Sequence, residues 1–184
     1  YDFAMVQGTA NLEGVLIETQ KLHQKVVKIG QDITRDYHGK SPFLVAVLAG
    51  AAVFHADLVR QIDLSIEVDF VAVSSYRNST KSTGNIELTK GLGSNISGLD
   101  VILVEDIVDT GLTMSYLLQV FKRFNPASLK TCVLLSKPSC HEVEVPLDYL
   151  GFEIPNKFVV GYGLDYRQQY RNLPFIATLK TVDK

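Results

Sequence analysis

The stretch VILVEDIVDTGLTM, residues 101–114, decides how the chain is read. Four branched apolar residues in succession fit a strand buried on both faces, as in parallel sheets. That strand meets Glu105, Asp106 and Asp109 and then a polar turn, Thr110-Gly111-Leu112-Thr113. Beyond it Met114, Leu117, Leu118 and Phe121 lie on one side of a helix that Asn125 and Pro126 stop. Strand, turn and helix make one unit of an α/β fold, in which ligands gather beyond the carboxyl ends of the strands.

Working outward, FLVAVLA (residues 43–49) is a second buried strand, and Gly50 opens the helix that follows it. Leu12, Val15, Leu16, Leu22, Val26, Ile29 and Ile33 recur at helical spacing, which predicts an amphipathic helix over about residues 11–37. Ile66, Val68, Phe70 and Ala72 predict a strand reaching Ser75 and Tyr76. The polar run RNSTKSTGN (residues 77–85) lacks apolar anchors and is expected to be a mobile loop. SLKTCVLLSK (residues 128–137) is another strand, whereas VPLDYLGF, KFVVGYG and PFIATLK are short β pieces expected to form a small appended sheet. The fold class is therefore α/β, a central parallel sheet flanked by helices with a small C-terminal β hood. No repeat, low-complexity tract or linker divides the chain, and a single domain over residues 1–184 is expected. Its core spans about 12–140 and the hood about 141–184, joined by the N-terminal segment.

Composition narrows the function. A chain of 184 residues with net charge -2 carries no basic bias, and no local basic patch speaks for nucleic acid. Cys132 and Cys140 lack the spacing of a zinc site or a disulfide framework, which points to a reducing compartment. The longest apolar run, residues 43–54, falls short of the ~20 residues a membrane helix needs. With no charged-then-apolar leader in view, a soluble cytoplasmic protein is expected. The four histidines show no mutual spacing of a metal site or triad and are assigned to surface or packing.

The turn at Asp109, Thr110, Gly111, Leu112 and Thr113 offers consecutive N–H groups, two hydroxyls and a glycine before a helix, which together can cradle a phosphate. No lysine follows as in a nucleoside triphosphate loop, so a phosphomonoester fits better. For this piece alone an ordinary helix start capped by Thr remains an alternative. Glu105 and Asp106 can accept hydrogen bonds from a vicinal diol or help to hold Mg²⁺. A ribose 5-phosphate satisfies both halves.

EDIVDTGLT closely resembles the phosphoribosyl-diphosphate motif of type I phosphoribosyltransferases, and residues 43–179 resemble the hypoxanthine-guanine members of that family. GFEIPNKFVVGYGLDYRQQYRNLP (residues 151–174) is similar to their purine hood, SSYRNSTKSTGN to their mobile catalytic loop entered by Ser75 and Tyr76, and LAG (residues 48–50) to their pyrophosphate loop. The resemblance implies transfer of phosphoribosyl from phosphoribosyl diphosphate to N9 of a 6-oxopurine, with magnesium, by a homodimer or homotetramer. It implies Asp109 as general base, able to take the N7 proton as the purine attacks. Glu105 and Asp106 would hold the sugar and its metal, with Asp165 a further metal ligand from the hood side, also counted with the purine site. Ala49 and Gly50 would offer backbone N–H groups to pyrophosphate beside the Arg171 fork. Relatives often carry Lys at the position of Ala49, so only a backbone role carries over there. Whether the Leu48-Ala49 peptide is cis cannot be read from sequence. For the purine, Lys137 would donate to O6, Phe158 stack on the ring, the Val159 carbonyl accept from its edge, and Ile107 close the other face. Read alone, Phe158 is first a core-strand residue, and Lys137 by default a solvated strand end.

Three other readings stay in view. A transferase for orotate, adenine or uracil would not need Lys137 and Val159 set for a 6-oxo group. A regulatory protein binding the sugar diphosphate and nucleic acid would need a basic surface. A phospho-acceptor signalling domain would not need the TGLT cradle or the hood.

Overall fold

The computed structural model describes residues 11–76 and 85–180. A six-stranded sheet runs in the order β4(Asn85–Lys90), β3(Glu67–Tyr76), β2(Phe43–Leu48), β5(Asp100–Val108), β6(Ser128–Ser136), β7(Tyr149–Glu153). Five strands are parallel, but β4 returns antiparallel on β3, so the sheet is mixed rather than purely parallel. Ile86 and Leu88 alternate in β4, and Leu88 packs on the core.

The unbroken apolar runs follow from burial on both faces. Leu44, Ala46, Ile102 and Val104 meet α1(Thr19–Asp36) and α2(Ala52–Val59) through Val26, Ile33, Phe54 and Leu58. The alternate residues Phe43, Val45, Val47, Val101 and Leu103 meet α3(Leu112–Lys122) through Met114, Leu117 and Phe121. Period-two alternation thus serves two helical layers at once.

Two expectations need correction. The helix predicted over residues 11–37 begins only at Thr19, because residues 12–17 form β1(Leu12–Ile17), antiparallel to β9(Ile176–Leu179). Leu12 and Ile17 fit a helical stripe in sequence, but their strand partners, Leu179 and Ile176, lie at the far end of the chain. The appended sheet is β1-β9-β8, with β8(Val159–Val160), around a small core of Leu12, Val160, Leu173, Phe175 and Leu179. VPLDYLGF does not join it. Its strand β7 lies parallel to β6 in the large sheet. Residues 131–136 of β6 are buried throughout, so their polar backbone needs a partner on the outer side, and β7 provides it.

Ser75 and Tyr76 close β3, paired with Ile86 and Asn85. The expected mobile loop lies outside the described residues except for Asn85. Among the described residues no helix is long and apolar enough to cross a membrane.

Candidate functional site

β2 and β5 are neighbours, yet the chain leaves them toward opposite faces, into α2 on one side and α3 on the other. The two turns part at the carboxyl edge of the sheet, where a crevice must open. A pocket of about 270 Å³ lies there, walled by Leu48 and Gly50 on one side and by Glu105, Asp109, Thr110 and Thr113 on the other. Ile107 and Gly111 also line it, beside the apolar Val73, which sequence did not point to, and Met114, read there only as a core residue of the helix.

β5 runs past Glu105 and Asp106 to Val108, so these acids lie within the strand and are only 9% and 8% exposed. Glu105 Oε2 is buried with no hydrogen-bond partner. Burial, and after it the neighbouring Asp106, drives the Glu105 carboxyl well above the usual carboxylate range. Burial raises Asp106 as well, against the lowering pull of Glu105, of the Ile107 N–H bond at 2.9 Å and of the Arg171 charge. Two adjacent carboxylates held in this way are poorly satisfied until hydroxyls or a cation reach them. Gly50 makes room for the pair. A Cβ there would overlap Asp106 Oδ2 and stand 2.6 Å from its Cγ.

The phosphate-type turn is fixed from behind. Gly111 has φ 84°, in the left-handed region, and a Cβ on it would collide with the Val143 carbonyl. The Thr110 carbonyl accepts from the N–H groups of Glu142 at 2.9 Å and Val143 at 3.2 Å. Leu112 N–H donates weakly to Thr110 Oγ1 at 3.4 Å, and no side chain caps the start of α3. The Thr-capped alternative is therefore not what the chain builds. Instead Thr110, Gly111 and Thr113 line the crevice at the start of α3, with the positive helix pole behind them.

Lys137 follows β6, and its N–H donates to the Val108 carbonyl at 2.9 Å. It is buried at 6% exposure, not solvated, and its Nζ donates to Asp109 Oδ2 at 3.1 Å. Asp109 is half exposed, so the pair presents its carboxylate to the crevice and its ammonium from below.

From the hood side, Gly163 comes against Gly50: a Cβ on Gly163 would strike the Gly50 carbonyl. Arg171 Nη1 donates to the Gly163 carbonyl at 2.7 Å and Nη2 meets Asp165 Oδ1 at 2.8 Å. Asp165 Oδ2 accepts from Gln168 N–H at 2.8 Å. Asp165 is thus occupied by Arg171 and is not gathered with Glu105 and Asp106. Among the described residues no three His, Cys, Asp or Glu side chains converge as a metal site. The Leu48-Ala49 peptide is cis, and the Ala49 carbonyl accepts from Ala52 N–H at 3.3 Å. Phe158 stands outside the core at 55% exposure, edge-on to Tyr166 at 5.6 Å, while Val159 is buried opposite Thr178. In sequence Gly163 stood only as part of a hood strand and His141 only as surface or packing, and neither, nor residues 142–143, was placed against the site; the glycine-rich VVGYG run was the available signal for the first.

With this geometry in place, residues 16–167 match the family described as Phosphoribosyl transferase domain. The chain is similar to the hypoxanthine-guanine phosphoribosyltransferase of Bacillus subtilis (strain 168), 45% identical over 170 residues, 92% of this chain and 94% of the relative. A crystal structure of a hypoxanthine-guanine phosphoribosyltransferase from Bacillus anthracis, with a HEPES molecule in the active site, superposes with TM-score 0.88 at 44% identity, covering 92% of this chain and 99% of the other. A hypoxanthine phosphoribosyltransferase from Staphylococcus aureus gives TM-score 0.88 at 41% identity, over 92% of both chains. The chain belongs to the type I phosphoribosyltransferase family, and within it to the hypoxanthine-guanine phosphoribosyltransferases.

Proposed function

We propose that the protein is a purine salvage enzyme that transfers phosphoribosyl from phosphoribosyl diphosphate to N9 of hypoxanthine or guanine, giving IMP or GMP and pyrophosphate. The observation that carries this reading is the buried Lys137 ion-paired with Asp109 at the lip of the phosphate-type turn. It sets a donor for a 6-oxo group beside a base and within one turn of a phosphate seat.

The roles are those the family resemblance implies, and the surroundings of the side chains support them. The N–H groups of residues 110–113 and the α3 pole receive the 5-phosphate. Glu105 and Asp106 grip the ribose diol, and their charge favours the cationic sugar as pyrophosphate leaves. Asp109 takes the N7 proton, and Lys137 steers O6 and holds the Asp109 carboxylate. Phe158 and Ile107 sandwich the base, with the Val159 carbonyl on its edge. Arg171, Ala49 and Gly50 receive pyrophosphate. Ser75 and Tyr76 end β3 just ahead of the segment whose sequence resembles the family's catalytic loop.

Magnesium fits the donors: the unpartnered Glu105 Oε2 and the buried Asp106 are hard oxygens, and this ion is commonly held by one or two carboxylates plus substrate phosphates. Asp165 would join after releasing Arg171. When bound, the ion would neutralise pyrophosphate charge. The chain is read as one such domain, with a hood around the small sheet of β1, β9 and β8, working in the cytoplasm as a homodimer or homotetramer. Pyrophosphate release from phosphoribosyl diphosphate, against hypoxanthine, guanine, xanthine, adenine, orotate and uracil, tests the assignment. Turnover confined to 6-oxopurines is expected; preference for adenine or a pyrimidine refutes it.

A further inference from the structure

We propose that His141 is a positioning residue that aims the phosphate turn, acting through residues 138–143; the idea rests on reading that turn as the phosphate seat. Ser136 ends β6 with no exposure, and its hydroxyl shares a 3.2 Å hydrogen bond with His141 Nε2. Between them the chain reverses through one tight turn, Pro138–Cys140, in which Cys140 N–H donates to the Lys137 carbonyl at 2.9 Å and His141 N–H to Pro138 at 3.4 Å. The reversal delivers the N–H groups of Glu142 and Val143 together onto the Thr110 carbonyl.

That grip sets the plane of the peptide between Thr110 and Gly111. In a trans peptide the N–H points opposite the carbonyl, so holding the Thr110 oxygen from behind turns the Gly111 N–H the other way, away from the supporting segment. The Val143 carbonyl fills the space next to Gly111, so the turn has little freedom to swing back. The Lys137 carbonyl accepts from the Pro138–Cys140 turn, but its N–H is held by Val108 and its ammonium, the group that would meet the purine, by Asp109. Loss of the His141 bond should therefore loosen the sugar-phosphate seat and spare the purine donor.

The test is ribose 5-phosphate titration of the full chain by calorimetry, paired with steady-state KM values for both substrates. His141→Ala is expected to weaken ribose 5-phosphate and raise KM for phosphoribosyl diphosphate about five- to tenfold, the size of one neutral hydrogen bond. KM for hypoxanthine should stay within about twofold. His141→Gln, whose amide can reach Ser136, should recover most of the loss. Ser136→Ala should reproduce it, and the double variant should add little, as for two ends of one contact. Unchanged ribose 5-phosphate affinity in both single variants, or KM values rising together for sugar and base, overturns the proposal. Wild type that binds ribose 5-phosphate yet releases no pyrophosphate with any base refutes the transferase reading instead, and the His141→Ala affinity still decides this one.

Discussion

Replacing Glu105 with Gln is expected to stabilise the metal-free protein while damaging its function. Glu105 is 9% exposed, one of its oxygens has no partner, and Asp106 lies beside it. Its folded carboxyl is pushed well above the ordinary glutamate value, first by burial and then by Asp106. From that ordinary value up to the raised one, the folded chain holds more protons than the unfolded chain, so stability falls as pH rises through the window. Gln keeps the shape and removes the charge that burial penalises. A buried charge without a partner costs more than the ~1–3 kcal/mol of an unsatisfied neutral group, so removing it can recover a few kcal/mol, and in a chain of this size each kcal/mol moves Tm by about 2–4 °C. The variant should melt on the order of 5 °C above wild type near about pH 8 and converge with it near about pH 5, measured with a chelator present. Turnover of phosphoribosyl diphosphate should drop at the same time, since the side chain proposed to hold the diol and the metal is lost. A variant that melts below wild type near about pH 8, or keeps the full pH slope, would show that the buried Glu105 charge does not destabilise the fold.

Asp109→Asn should lower kcat by about 10²–10⁴ with IMP affinity near normal, because the base is removed and the shape kept; undiminished kcat takes Asp109 out of that role. Lys137→Met should raise KM for hypoxanthine and guanine alike by about tenfold, the worth of one charge-assisted hydrogen bond. An equal loss of phosphoribosyl diphosphate affinity would place Lys137 elsewhere. Gly50→Ala must displace the buried Asp106 carboxylate or the turn itself, so thermal melts should show a loss of ~1–3 kcal/mol with poor sugar diphosphate binding; a wild-type melt would mean the crevice has more room than the structure gives it.

Much of this architecture was legible where local pattern and tertiary burial agree. The apolar runs at residues 43–48 and 101–104 announced doubly covered strands, and the helices after Gly50 and Gly111 followed from glycine and periodicity. Where the pattern was shared between two states, the partner decided. Residues 12–17 suit a helical stripe as well as a strand, and only β9, some 160 residues later, settles them as β1. Tyr149–Glu153 looked like the other short C-terminal strands until the unpaired edge of β6 claimed it.

In the site, the residue types were readable but their pairings were not. Lys137 looked like a solvated strand end because nothing local shows that Asp109 waits across the neighbouring strand. The Arg171 bond to Asp165 and the approach of Gly163 to Gly50 are likewise contacts between distant segments. The burial of two adjacent carboxylates in β5 could not be inferred either, since sequence shows the acids but not the layers that cover them.

The central claim is that a ribose phosphate lies with its phosphate on residues 110–113 and a 6-oxopurine against Lys137. A crystal soaked with IMP tests it most directly. The account requires phosphate density over the amides of Thr110 to Thr113, the ribose hydroxyls at Glu105 and Asp106, and O6 within hydrogen-bond reach of Lys137 Nζ. Ordered nucleotide bound outside the β2-β5 crevice, or with its base turned away from Lys137, would contradict it.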